Sequence, residues 1–398
     1  MLVAVLAAGL GIVAHATGVF HRTELSTIDT RFRIRGAKPG LVKDFVVVGV
    51  DQQTFDHFYD QHLANDWPFP RRYHARVIDE LKRAGAREIA FDVQFTEATD
   101  PTDDNDLANA VADARHMVLA TTAVGPHGST DVLGGNANLR SFGARAGNAT
   151  VIPDTDGVLR RMQYEYQGLT TFGVAIAQNA RLHPVTASSF GGETNEVPID
   201  FAGPPATVPY ISYWRVYDGD FSRSFIDGKI VIVGAQAATL GDLHDTATSG
   251  SAGNGNQMIG PEVDANVAAS ALAGVPLRDG AGWVNVLLII ALGCVPVLLG
   301  WRGWVLRALL GSLIVAALYA VAVQLAFNDG RIIAFIDPLF ALLIGIVGAL
   351  AVVYLTRRSS ASTPARCSPA SCRPASSTRS SSAPTTICGS AGSSACAP

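Results

Sequence analysis

Few side chains in this chain sit where chemistry could be done. Asp51 closes the apolar run "DFVVVGVD", Asp92 stands in "REIAFDVQF", and Asp242, His244 and Asp245 follow the run "GKIVIVGA". Each run is short, rich in β-branched residues and bounded by polar residues, so each reads as a buried strand. In an open parallel sheet, ligands bind at the carboxyl ends of the strands. Asp51, Asp92, Asp242 and His244 therefore make a candidate polar pocket for a small solute or cation. Arg71, which begins the helix after the first strand, joins them. The competing reading is structural: buried acids that cap helices or pair with arginine. "DHFYDQH" (Asp56 to His62) has metal-compatible side chains, but its spacing matches no standard site and it reads as a solvated loop.

No catalytic pattern accompanies these residues. There is no Gly-Lys-Ser/Thr phosphate loop, no nucleophile elbow and no His-Glu-x-x-His. The reading assigns no catalytic residue, no metal site and no cofactor. Between Arg22 and Gly282 there are 32 acidic and 22 basic residues, a local charge of −10. Such a surface repels phosphate and argues against nucleic acid. That stretch also lacks cysteine, so no disulfide staples it.

The elements that must position the acids follow from periodicity. Residues 71–86 read as an amphipathic helix with Tyr73, Val77, Ile78 and Leu81 on one face and Gly85 as its stop. Residues 104–114 read as a second helix and "HMVLATTAV" as a further strand. This β-α-β-α-β order predicts a mostly parallel sheet with helices on both faces. Residues 125–153 read as loop, 157–168 as a strand and 170–182 as a helix. Residues 191–209 read as loop with a short strand at most, and 260–274 as a helix leading out of the domain.

Four stretches are apolar enough to suggest a membrane: residues 1–20, 283–300, 304–327 and 332–355. Residues 1–20 read as an uncleaved anchor, because no basic residue precedes them. Arg302 and Arg307, and then Arg357 and Arg358, mark the cytoplasmic side by the positive-inside rule. This predicts a multi-pass protein of the cell membrane with its acidic domain (residues 21–282) extracytoplasmic and three spans in 283–356. Asp337, before Pro338, reads as the N-cap of the last span.

Several longer motifs recur in one order: "IDTRFRIRG", "VVVGVDQQTF", "WPFPRRYHARVIDEL", "GAREIAFDVQF", "DGVLRR", "KIVIVGAQAATLGDLHDT" and "GPEVDANVAASALAG". Together they resemble the CHASE2 sensor domain over nearly all of residues 20 to 356. The resemblance implies an extracytoplasmic sensor of an unidentified small ligand, coupled to a cytoplasmic output. An adenylate or guanylate cyclase is the first such output, which would imply a homodimer. The sensor half of a histidine or Ser/Thr kinase is the second. A metal-assisted ectoenzyme using Asp51 and Asp92 is a third reading, from the residues alone.

Residues 357–398 contain no Asp, Glu or Lys and hold four of the five cysteines. Their composition suits a disordered tail. They also admit a frame-shifted reading. Shifted by one base, with G or C at most free wobble positions, Cys367 to Pro398 become a string with helical apolar spacing and an LGG turn. That string resembles the segment before the catalytic domain of class III adenylate cyclases. If this reading is right, sequencing the locus will find the shifted frame open well past this point. A stop within a few codons ends it.

Overall fold

The computed structural model describes residues 2–64, 66–192, 195–250, 256–300 and 305–361, with side chains to residue 355. The tail from residue 362, and Arg302 with its loop, lie outside the described residues. Six strands form one parallel sheet: β1 (Phe45–Val50), β2 (Glu88–Asp92), β3 (Met117–Thr121), β4 (Arg145–Asn148), β5 (Tyr210–Ser212) and β6 (Ile230–Ala235). Their spatial order is β4-β3-β2-β6-β1-β5. The last strand of this sheet in chain order thus enters its middle, with Phe45 opposite Ile230 and Glu88 opposite Ile230 on the other side.

Every residue of β1 is buried, as a parallel strand covered on both faces requires. Alternation sorts the side chains. Phe45, Val47, Ala90, Val118 and Ile232 point into one core, and Val46, Val48, Phe91, Leu119 and Val233 into the other. The second core is roofed by helices α3 (Gln52–Asp60), α4 (Arg71–Ala84), α5 (Pro101–Ala114) and α6 (Asn136–Phe142). The first is roofed by α2 (His21–Arg35), α7 (Phe172–Asn179) and the helix α8 (Gly260–Leu272).

Helix α8 carries buried polar residues at helical spacing, and these hold the preceding loop. Glu262 accepts the amides of Ala206, Thr207 and Val208 at 2.8, 2.8 and 3.0 Å. Asn266 accepts the amide of Ala202 at 2.8 Å, and Ser270 that of Asp200 at 3.0 Å. Residues four apart share one helix face, so this stripe lies along the loop like a zip.

Among the described residues three helices are long and apolar enough to cross a membrane: α9 (Gly282–Leu299), α10 (Val305–Asn328) and α11 (Ile336–Ala361), the last qualifying over Ile336–Leu355. The expected fourth span is matched only by a bent helix pair. Helix α1 (Leu2–Thr17) has 16 residues, about 24 Å at 1.5 Å per residue and short of the hydrocarbon core. It reaches span length only with α2, and the two bend by 85°. Gly11 lets α1 approach closely, since a Cβ there would meet Ile289 at 2.6 Å and Ala341 at 2.9 Å. The chain divides into two compact units, residues 1–351 and 352–398. The described part of the second unit is the helical run to Ala361.

Four expectations are corrected. Residues 125–153 are not all loop: they include α6 and the edge strand β4, whose small and polar residues give no apolar run. "DHFYDQH" lies largely in α3, because Phe55 and Phe58 supply a buried face that its polar residues obscured. Asp337 is the second residue of α11 rather than its cap. Its Oδ2 meets His15 Nδ1 at 2.6 Å. The cap comes from α2, where the Glu24 carboxylate accepts the amides of Phe335 and Ile336 at 2.8 Å each. The strand expected over 157–168 is broken into Arg161–Gln163 and Glu165–Tyr166.

Ile232 is fully buried at the sheet centre. Ile232→Ala is expected to lower the unfolding free energy by about 2–5 kcal/mol, and Ile232→Val by roughly 0.5–1.5. Chemical denaturation of the full chain in detergent micelles will measure both.

Candidate functional site

Neighbouring strands β2 and β6 send their following helices to opposite faces. After β2 the chain goes to α5, and after β6 to α8. A crevice must open where those paths diverge. It holds about 630 Å³ and is lined by Asp92, Asp242, Asp264 and His244, with Trp67, Gln94 and Thr122 at other walls. An apolar cleft of about 60 Å³ adjoins it and shares Asp264 and the segment Ala149–Val151.

Each acid is placed by a specific backbone demand. Asp92 is the last residue of β2, opposite Gly234 of β6. A Cβ on Gly234 would sit 3.0 Å from the Asp92 Cβ and 2.5 Å from Pro261 Cγ, so only glycine lets α8 start this close. Asp242 leans over Gly260, where any Cβ would overlap its carboxylate. Its Oδ1 lies 2.9 Å from His244 Nε2. His244 is held by the short pairing of Leu243–His244 with Met258–Ile259. Asp264 comes from the second turn of α8.

The electrostatics are unbalanced. No lysine or arginine lines the crevice among the described residues. Burial, and then the charge of Asp242, push Asp92 up to about 7, with His244 acting in the opposite sense. Burial, then Asp92 and Asp242, also push Asp264 well up. The amino end of α8 offsets part of this repulsion with its partial positive charge. Three carboxylates thus converge on one cavity with a histidine as the only nearby cationic candidate.

The structure brings Asp92, Asp242 and His244 together. It places the other two candidates elsewhere. Asp51 caps α3, accepting from the amide and hydroxyl of Thr54 at 2.8 Å each and from the Ser212 hydroxyl. Arg71 is buried against Asp104 at 2.9 Å, the Glu97 carbonyl and the Phe95 ring. Asp51 and Asp92 stand on strands separated by β6, about 10 Å apart at the strand spacing. Among the described residues, no three His, Cys, Asp or Glu side chains are grouped so as to hold a metal ion. Asp264 was missed by sequence reasoning. Its signal is its place near the start of the helix that follows a strand-end site.

A parallel sheet covered on both faces, with a polar strand-end crevice and apolar helices after it, defines an α/β sensory domain carried on membrane-type helices. The CHASE2 domain family matches residues 2–298, about three quarters of the chain, and the chain belongs to that family of sensory domains. No curated protein and no solved structure matches it.

A carboxylate with a raised pKa makes stability fall as pH rises. The unfolded chain releases the Asp92 proton near pH 4, whereas the native state holds it to about pH 7. Between those values native stability declines, and the penalty is complete above pH 7. Asp92→Asn is therefore expected to raise Tm by several degrees at pH 8 and hardly at all at pH 4. Thermal melts of the full chain at the two pH values will check this.

Proposed function

We propose that the chain is a membrane-anchored sensory module whose α/β domain takes a small organic cation in the crevice of Asp92, Asp242, Asp264 and His244. The observation that carries this reading is the excess of negative charge at an open cavity. Carboxylates with raised proton affinity are destabilising unless protonated or met by a cation, and an ammonium ligand would relieve them. The cavity suits a molecule rather than a bare ion: it is roomy, and its acids are too dispersed for a metal-ligand group. Trp67 adds an indole to the wall, a surface on which alkylammonium groups bind.

The domain lies outside the cell in this reading, by the distribution of Arg307, Arg357 and Arg358 around the apolar helices. The amino-terminal stretch of residues 1–20, which holds α1, supplies the fourth crossing, while α2 stays on the sheet. Occupancy acts on the membrane helices by its differential affinity for two packings of the domain, and reaches a cytoplasmic output of the cyclase type that the family resemblance implies.

A thermal-shift titration of the full chain in detergent will test the ligand class. Primary amines, diamines and quaternary ammonium ions are expected to raise Tm at pH 8. Asp264→Asn should weaken the effective amine at least tenfold. A panel in which only Ca²⁺ or Mg²⁺ shifts Tm, or nothing does, overturns the organic-cation reading.

A further inference from the structure

"DGVLRR" (Asp156 to Arg161) takes little part in the crevice, yet its two arginines face the membrane-proximal elements. Arg160 is buried. Its Nε and Nη2 each donate to Asp29 of α2 at 2.7 Å. Its remaining N–H groups reach Asp154 at 3.0 Å and Asp156 at 2.9 Å. Arg161 donates to Asp279 at 2.8 and 3.0 Å. Adjacent residues of an extended chain point to opposite sides, so one short segment grips two separate partners. Both grips are forked guanidinium–carboxylate pairs, the strong form of this bond.

Each partner leads to a membrane helix. Arg278–Asp279 pairs with Arg331–Ile332, the link between α10 and α11, and lies just before α9. Asp29 sits on α2, one helical stretch from Glu24, which caps α11, and next to Arg31, which donates to the Ile333 carbonyl at 2.8 Å. Phe32 of α2 packs on Phe327 of α10 with ring centroids 5.0 Å apart. On the other side, the segment is tied to the crevice wall. The amide of Leu159 donates to the Asp245 carbonyl at 2.7 Å, next to His244, and Ala247 donates back to Leu159 at 3.3 Å.

We propose that the Arg160–Arg161 pair is a clasp that transmits the state of the crevice wall to the membrane helices, through Asp29 to α11 and through Asp279 to α9. The pair forms one joint between the 242–247 segment and both routes into the bundle. The link rests on the function proposed above only in naming the crevice as its input. It is a contiguous set of bonds, and its test is whether removing one bond is felt at the far end.

Hydrogen–deuterium exchange of the full chain in lipid nanodiscs reads that far end. The amides of Phe335 and Ile336 are held by Glu24 and touch neither Asp29 nor Arg160. Asp29→Asn is expected to speed exchange in the 334–339 peptide about tenfold while β1 and β6 stay protected. Arg161→Gln should instead speed exchange at 278–279 and 331–332. Unchanged 334–339 protection in Asp29→Asn, with the sheet intact, overturns the clasp. If Asp29→Asn loosens the sheet as well, Arg160→Lys decides by the same readout, since an ammonium cannot make the forked bond. A further arm neutralises the crevice with Asp92→Asn and Asp264→Asn together. A changed 334–339 rate there supports transmission from the crevice. An unchanged rate, beside a positive Asp29→Asn result, overturns the crevice as the input of the clasp and leaves only its coupling to the membrane helices, whereas ligand binding in the crevice stands or falls by the thermal-shift titration.

Discussion

The insertion of β6 between β1 and β2 is the constraint from which the rest follows. A parallel strand bonded on both edges and buried on both faces can be only apolar, and Ile230–Val233 meet that demand. The sheet cannot be completed until residue 235, so everything from Phe45 to Ala235 is committed to one domain. Because α8 must then leave on the face opposite α5, a crevice opens beside Asp92. The same geometry turns α8 toward the membrane-type helices. Cavity and exit are therefore two consequences of one strand placement.

That placement sets a local conflict in which packing wins. Gly234 and Gly260 bring α8 onto the sheet end, and this proximity forces Asp92, Asp242 and Asp264 into one low-dielectric space. A larger residue at either glycine would separate the acids and relax their repulsion, but it would also lift the helix from the core. Buried carboxylates without an arginine partner are expensive to maintain. Some acids of the chain are met by a guanidinium: Asp29 by Arg160, Asp200 by Arg35, and Asp104 by Arg71. The crevice acids are not, and in this they resemble the buried Glu88, Asp51 and Glu262, which form no ion pair with arginine among the described residues.

Much of the sheet was legible because its central strands are continuous apolar runs. "FVVVGV", "EIAFD", "MVLAT" and "IVIVGA" announce themselves by composition. The edge strands do not: "RAGN" and "YIS" are only three or four residues, too short to show an apolar run, and they add only Ala146 and Ile211 to the core. Strand-end position located Asp92, Asp242 and His244, but could not tell them from Asp51, since a cap and a pocket residue look alike before the fold is known. What separates them is strand order, and order is a long-range property. Asp264 was hidden for a related reason. Its helix reads only as one leading out of the domain, and nothing in its sequence tells Asp264 at the crevice from Glu262, Asn266 and Ser270, which hold a loop.

The junction with the membrane-type helices was the least legible part, and its physics explains why. The Glu24 cap on α11 bridges more than three hundred residues, and nothing local to either sequence requires it. The first turn of helix α11 holds Asp337 and Pro338, which by themselves spell a local cap. Yet Asp337 is drawn to His15, and the free amides fall to Glu24. Arg31 completes the arrangement by bonding both the Glu24 carboxylate at 3.0 Å and the Ile333 carbonyl. One carboxylate thus meets a helix amino end and a guanidinium at once, so withdrawing Glu24 would leave both positive partners unmatched. A helix end secured by a distant side chain holds its orientation only while that side chain's own helix is held. Here α2 is held by Asp29 and Arg35, both of them bonded to the α/β domain. The orientation of α11 is therefore a property of the sensory domain as much as of the membrane helix itself.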